Sequence, residues 1–289
     1  MGHNSFNIAW WNTGLAPGAR SKSAQNTLLL ALGLIYELLH EQALDLLVLC
    51  EISETELRAL ADLLEASPWR LQSGLQSVGR ARFDTCFVYR EERLAIAGLL
   101  ALTHPCGERI RRPGQHLRLL LDQRDQFHCF VSHWPSRVYA DKDERNRLGM
   151  ELRDEVNRVL RGDPEANIIM MGDYNDEVFD VSITEYLQAS RDRELVLRKR
   201  HLLYNPFWRK LGASLDGDYF SGTIFDWRGE FTRWRSFDQI MLSAALLDGA
   251  QWRLDESSAN IYSSATLSAC LRKHEFDHLP VILNMQKVM

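Results

Sequence analysis

Apolar residues run through this chain in short bursts, and many of the bursts close on a polar side chain. "FNIAWWN" (6–12) reads as a buried strand ending in Asn12, and "DLLVLCE" (45–51) as a second ending in Glu51. Residues 24–42 between them carry a long helical pattern. "SETELRALADLLEA" places Ser53 as an N-cap with Glu56 three residues on, a capping box that predicts another helix. Strand-like segments follow at "TCFVYR" (85–90), "LAIAGLLAL" (94–102), "HLRLLLDQ" (116–123) and "FHCFVSHW" (127–134), and the turn "DQRDQ" joins the last two as a hairpin. Residues 141–161 predict a charged helix with Leu148, Leu152, Val156, Val159 and Leu160 on its apolar side. "ANIIMMGD" (166–173) is a further buried strand. The stretch 176–222 mixes helix and loop, and strands return at "GTIFDW", "SFDQIMLS" and "LPVILNM". Hairpin-like pairs outnumber βαβ units, and no linker or repeat divides the pattern. It predicts one domain over residues 1–289, of α+β class: two packed sheets with helices outside.

Composition narrows the setting. The 289 residues can bury a sizeable core, and 45% hydrophobic with 25% charged residues is ordinary for a soluble globular chain. The longest apolar stretch, "TLLLALGLIYELL", is too short to span a bilayer and contains Glu37, so no membrane association is expected. The five cysteines are scattered without a CxxC, and no charged-then-apolar leader opens the chain, which points to free thiols in a reducing, cytoplasmic setting. Net charge is -5, so no global basic signature advertises nucleic acid. Arginines cluster locally at Arg109, Arg111 and Arg112, and again from Arg191 to Arg200. A solvated face is the ordinary reading of such clusters, and a rim that tracks phosphate is the alternative.

The polar ends of the apolar runs suggest one chemistry. "IIMMGDYNDE" (168–177) buries four large apolar residues and then spends three carboxylates and an amide. A surface turn has that composition, and so does a strand delivering ligands into a crevice. Asn12, Glu51, His133, Asp173, Asn175, Asp238 and the pair Asp277–His278 repeat the theme. Oxygen donors of this kind favour a hard cation, Mg²⁺ or Mn²⁺, over zinc. A metal, a carboxylate to activate water and a histidine donor together form the set that hydrolysis of a phosphodiester requires.

These segments resemble a known group. "WN" at 11–12, "CE" at 50–51, "SHWPSR" at 132–137, "GDYND" at 172–176, "FDQIMLS" at 237–243 and "FDHLPV" at 276–281 occur in the order and approximate spacing of the endonuclease/exonuclease/phosphatase superfamily, and the match covers nearly the whole chain. The resemblance implies a four-layered α/β sandwich of two packed, mostly antiparallel sheets with a site at one edge. It implies Glu51 as principal metal ligand, with Asn12 and Asp277 assisting directly or through water. Asp173 matches the residue that activates water, and Asn175 the amide that contacts a phosphate oxygen. His278 matches the histidine that stabilises the pentacovalent phosphorus, held by Asp238, and His133 the second histidine of the deoxyribonuclease-like branch. Abasic-site endonucleases usually carry a tyrosine where this chain has His133, which disfavours that branch. Asp176 and Glu177 read better as turn or helix-start residues.

Arg137, Arg145 and Trp134 are candidate substrate contacts, with salt bridges and core packing as the competing roles. Trp208, Trp227 and Trp234 are further candidates for stacking on bases. The leading expectation is a Mg²⁺- or Mn²⁺-dependent nuclease with a nucleic acid substrate and no obligate protein partner. The alternative is a hydrolase of a small phosphoester: a phospholipid headgroup, a nucleotide or an inositol phosphate. An inactive binding scaffold ranks last, because every matched position is retained.

Overall fold

The computed structural model describes residues 4–16, 23–107, 109–212, 220–249 and 251–288. The first three residues, part of the region read for a leader, and residues 213–219 of the mixed segment lie outside the described residues. The expected α+β architecture is present: two large sheets pack face to face with helices on their outer sides.

In spatial order, the first sheet has six strands: Trp252–Ile261, Val281–Lys287, Ser5–Asn12, Leu46–Cys50, Cys86–Arg90 and Trp69–Ser73. The second has seven: Ala189–Ser190, Leu203–Tyr204, Asp238–Ser243, Ile168–Asp173, Asp125–His133, Arg109–Leu121 and Leu94–Cys106. Pairing is mostly antiparallel. The exceptions include Ser5–Asn12 beside Leu46–Cys50 and Asp125–His133 beside Ile168–Asp173. Both of these parallel pairs end on candidate site residues, with Asn12 level with Cys50 and Asp173 level with His133.

The run "IIMM" is explained by its place between two cores. Alternate strand residues face opposite ways. Ile169 and Met171 enter the main core between the sheets, while Ile168 and Met170 enter a second core with Leu148, Leu152 and Val156 of the helix Lys142–Gly162. A strand covered on both faces needs a continuous apolar run. The helix Ser23–Glu41 covers the first sheet with Ala31, Leu34, Ile35 and Leu38. The helix Glu54–Leu64 starts on the capping box read from the sequence: the Ser53 backbone N–H donates to Glu56 Oε2 at 2.9 Å.

Two elements depart from the sequence reading. Leu94–Cys106 and Arg109–Leu121 form a hairpin of two 13-residue strands, so the cluster at 109–112 is strand and not loop. Trp252–Ile261 is a strand that the polar stretch "DESSAN" conceals, and its register against Val281–Lys287 shifts between Asp255 and Asn260.

Candidate active site

The polar strand ends converge at one edge of the two sheets. Asn12 closes its strand and sends its side-chain Nδ2 to both sheets, 3.2 Å from Glu51 Oε1 and 3.1 Å from Asp173 Oδ2. Its Oδ1 accepts from the Gly14 N–H at 3.1 Å. Asn12 thus links two carboxylates, one from each sheet. Glu51 follows the last residue of Leu46–Cys50 with φ of 55°, a left-handed conformation that is uncommon outside glycine and tends to be kept at functional positions. Asn175 has φ of 51°, and its N–H donates to Asp173 Oδ1 at 2.9 Å. Its side-chain Nδ2 donates to the Trp134 carbonyl at 2.9 Å.

Two histidines complete the cluster. His278 Nδ1 is 2.7 Å from Asp238 Oδ2, and its Nε2 faces Asp173 Oδ2 at 3.8 Å. Asp238 is fully buried; its other oxygen accepts from Trp10 Nε1 at 2.8 Å, and its backbone N–H donates to Thr223 Oγ1 at 2.9 Å. His133 Nδ1 is 2.9 Å from Asp84 Oδ2, and its Nε2 faces Glu51 Oε1 at 3.7 Å. Each imidazole thus has a carboxylate behind it and another in front.

Electrostatics separate the roles. Burial pushes the Glu51 and Asp173 carboxyls up, against the opposing pull of the histidines. Burial alone would lower His278, but Asp238 and Asp173 outweigh it and hold the imidazolium well above its ordinary range. His133 is likewise raised, with Asp84 overcoming burial, and Asp84 is lowered in return by His133 despite its own burial.

Carboxylate and imidazole atoms of Asp173, Asp238 and His278 lie within 4.8 Å of one another, close enough to suggest a metal triad. Both Asp238 oxygens already accept from protein donors, Trp10 Nε1 and His278 Nδ1. Glu51 and Asp277 are further oxygen donors that could hold a hard cation. Glu51 Oε2 and the exposed Asp277 carboxylate have no hydrogen-bond partner among the described residues, and both are oxygen donors facing solvent-accessible space. Asp277 Oδ1 lies 3.8 Å from the position a Cβ would take on Gly14, beside the end of the Asn12 strand.

An adjoining cleft of about 640 Å³ shares Gly14, Asn175 and Asp277 with this cluster and is lined further by Arg137, Phe225 and Trp227. Trp227 is 51% exposed there, with the Arg228 guanidinium over its ring at 4.5 Å. Trp208 and Trp234 are half-buried and pack edgewise or tilted on Phe179, Phe220 and Phe225.

Two sequence candidates are corrected. Trp134 is fully buried, donates to the Pro113 carbonyl and packs edge-on against Tyr174, so it has no face left for a base. Arg145 is buried with its Nε on Asp176 Oδ1 at 2.8 Å and its Nη1 on the Ala140 carbonyl, so it anchors structure. Arg137 holds the Asn175 carbonyl and Asp176 yet still lines the cleft. Asp176 and Glu177 are turn anchors, the latter accepting from the Ser236 N–H. Asp84 was missed: it sits ahead of the strand Cys86–Arg90, and nothing in the local sequence connects it with a histidine 49 residues away.

A two-sheet sandwich with acidic and histidine side chains gathered at the strand ends defines a DNase I-like fold. Residues 23–282 match the Endonuclease/Exonuclease/phosphatase family, and the chain belongs to it; members of this family hydrolyse phosphoester bonds and generally use a divalent metal. The fold is similar to that of the catalytic domain of human Nocturnin with bound sulfate anion (TM-score 0.62, 16% identity, 98% of this chain and 95% of that one). It is similar to D. rerio TDP2 complexed with single strand DNA product (0.66, 16%, 98% and 100%). A mannosyl-6-phosphatase of Bacteroides thetaiotaomicron is a further structural relative (0.61, 16%, 98% and 100%). No curated protein matches the chain. Among the described residues no helix is long and apolar enough to cross a membrane.

Proposed function

We propose that this protein is a divalent-metal-dependent phosphodiesterase that cleaves nucleic acid by in-line attack of water. The observation that carries the reading is the pair of histidines, each backed by its own carboxylate, facing Asp173 and Glu51 at 3.8 and 3.7 Å. Cleaving a diester expels an alkoxide, a poor leaving group that needs a proton, while charge also builds on the phosphoryl oxygens. Two separately held imidazoliums meet both needs.

A Mg²⁺ or Mn²⁺ ion on Glu51 and Asp277 would neutralise phosphate charge and favour attack. The chain's own residues do the rest. Asp173, fixed by Asn12 and the Asn175 N–H, takes a proton from the attacking water as its oxygen bonds to phosphorus. His278, kept charged by Asp238, donates to a phosphoryl oxygen, and the free N–H of the Asn175 amide offers a second donor. The bond from phosphorus to the leaving oxygen breaks as His133 passes its proton to that oxygen.

The single strand DNA product of D. rerio TDP2 supports nucleic acid as the substrate class. A small phosphoester is the second reading, favoured by the 640 Å³ cleft and by the mannosyl-6-phosphatase relative. End-labelled single-stranded DNA, duplex DNA and RNA, incubated with Mg²⁺, Mn²⁺ or EDTA, separate the two. Metal-dependent cleavage that disappears in Asp173→Asn and His278→Ala is expected. No cleavage of any polymer beside turnover of sugar phosphates or nucleotides would move the assignment to the second reading.

A further inference from the structure

The cleft beside Asn175 is one surface next to the site; a second, lined from Pro135 onward, differs in charge. Two adjoining clefts of about 320 and 340 Å³ share Pro135 and Glu144. Six arginines line them, Arg80, Arg82, Arg111 and Arg112 in the inner one and Arg109 and Arg147 in the outer, against three carboxylates, Asp141, Asp143 and Glu144. The groove starts at the reaction centre. Pro135 lies two residues past His133, and Arg112 Nη1 is 3.8 Å from Asp84 Oδ1, the carboxylate that holds His133.

Arg111 and Arg112 have structural partners: Arg111 Nη2 is 2.6 Å from Glu151 Oε1. Arg80, Arg82, Arg109 and Arg147 are exposed, and their side chains make no ion pair or hydrogen bond among the described residues. Their placement is built in. The short hairpin of Gln76–Val78 and Ala81–Phe83 seats Ala81 and Phe83 inward and turns Arg82 outward. At its turn Gly79, with φ of +57°, lies so close to Ile110 that a Cβ would come within 2.7 Å of Ile110 Cδ1. That contact sets Arg80 and Arg82 beside the strand carrying Arg109, Arg111 and Arg112. Tyr139, 88% exposed, lines the outer cleft. Arg111 and Arg112 are balanced by Glu151 and Asp84, so the charge left open to a polyanion is that of the four exposed arginines.

We propose that this groove binds the phosphodiester backbone of a polynucleotide strand, so that the substrate extends from the reaction centre past Pro135 toward Arg147. The inference rests on the phosphodiesterase reading and narrows its substrate to a polymer. The four unpaired arginines contact successive phosphates, and Tyr139 offers a ring to an unpaired base. A phosphoester of one or two sugar units would leave the groove empty.

Anisotropy of a fluorescein-labelled single-stranded oligonucleotide on the Asp173→Asn protein, in EDTA and between about 50 and 200 mM salt, tests binding without turnover. Replacing Arg80, Arg82, Arg109 and Arg147 together by Ala is expected to lower the slope of log affinity against log salt by about 3, at about 0.7 per phosphate contact. With metal and an otherwise native chain, the same fourfold replacement should cut oligonucleotide cleavage at least tenfold while bis(p-nitrophenyl) phosphate hydrolysis stays within twofold. An unchanged salt slope and unchanged oligonucleotide cleavage would overturn the groove and leave the phosphodiesterase reading standing. Loss of both substrates in proportion would also overturn it, marking the arginines as structural. A native chain that hydrolyses the small ester but neither binds nor cleaves the oligonucleotide would sink the polymer reading itself.

Discussion

At the scale of single residues, the site is a set of charges kept in opposition. His278 sits between Asp238 and Asp173, and His133 between Asp84 and Glu51, so each proton donor is held charged by the groups that surround it. Glu51, His133 and Asp173 were legible because each ends an apolar run, where a polar side chain has no packing reason to be, and Asp238 and His278 because each stands at the start of one. Asp84 was not, since a carboxylate ahead of a strand looks like any turn residue until the fold brings His133 to it. It is a positioning residue, and its removal has a signature. Asp84 holds the His133 imidazolium above its ordinary value against burial, so Asp84→Asn lets that value fall. The basic limb of the kcat/KM–pH profile should move to lower pH, with kcat down by about 10²-fold, the scale of one general acid. A profile of unchanged shape at reduced amplitude would assign Asp84 a purely structural part. His278, backed by Asp238, is raised further and should leave that limb to His133.

At the scale of elements, the second sheet is what aims the reaction centre, and the helix Lys142–Gly162 is what holds its delivering loop. The loop after Ile168–Asp173 carries Asn175 and is tied down through Asp176, which accepts from both Arg145 and Arg137. Helix position and apolar stripe were readable from 3.6-residue spacing, and a salt bridge was one of the two roles open to Arg145; its partner Asp176 was not readable, because the pairing depends on the fold. Arg145→Ala leaves Asp176 buried with Arg137 and Ser182 as its remaining partners, so the cost falls below the about 3–5 kcal/mol of a wholly uncompensated buried charge. A fall in the urea midpoint is expected, with KM for the phosphodiester little changed at temperatures where the variant is folded. A raised KM at native stability would return Arg145 to the substrate. The strand Trp252–Ile261 escaped the sequence reading for an element-scale reason: its register shift breaks the alternation by which an edge strand is recognised. The hairpin Leu94–Cys106 with Arg109–Leu121 ran past its expected ends because its far half is partly exposed and mixes polar residues into the pattern.

At the scale of the molecule, the site exists only where the two sheets meet. Asn12 and Glu51 come from the first sheet, Asp173 and His133 from the second, and the single Asn12 side chain spans the seam between residues 161 apart in sequence. Sequence order alone carried the order of these segments but not the seam, which depends on both sheets sharing the main core. An ion held there can bind only the folded sandwich, so binding must raise the stability of the whole. At a metal concentration about 100 times the dissociation constant, the gain is about 2.7 kcal/mol, which for a chain of this size is a rise in Tm of roughly 4–5 °C. Mg²⁺ or Mn²⁺ should produce that rise in the native protein, and EDTA should reverse it. Glu51→Gln should abolish the response and, without metal, melt no lower than the native chain. The sign follows from the raised Glu51 carboxyl: its charge at neutral pH is disfavoured by burial in the folded state, and this penalty fades as pH falls through the raised value. The neutral amide removes the penalty at all pH. A metal-induced rise that survives in Glu51→Gln would place the ion elsewhere in the cluster, and a native protein whose Tm ignores both ions would argue against the Glu51 and Asp277 donor set.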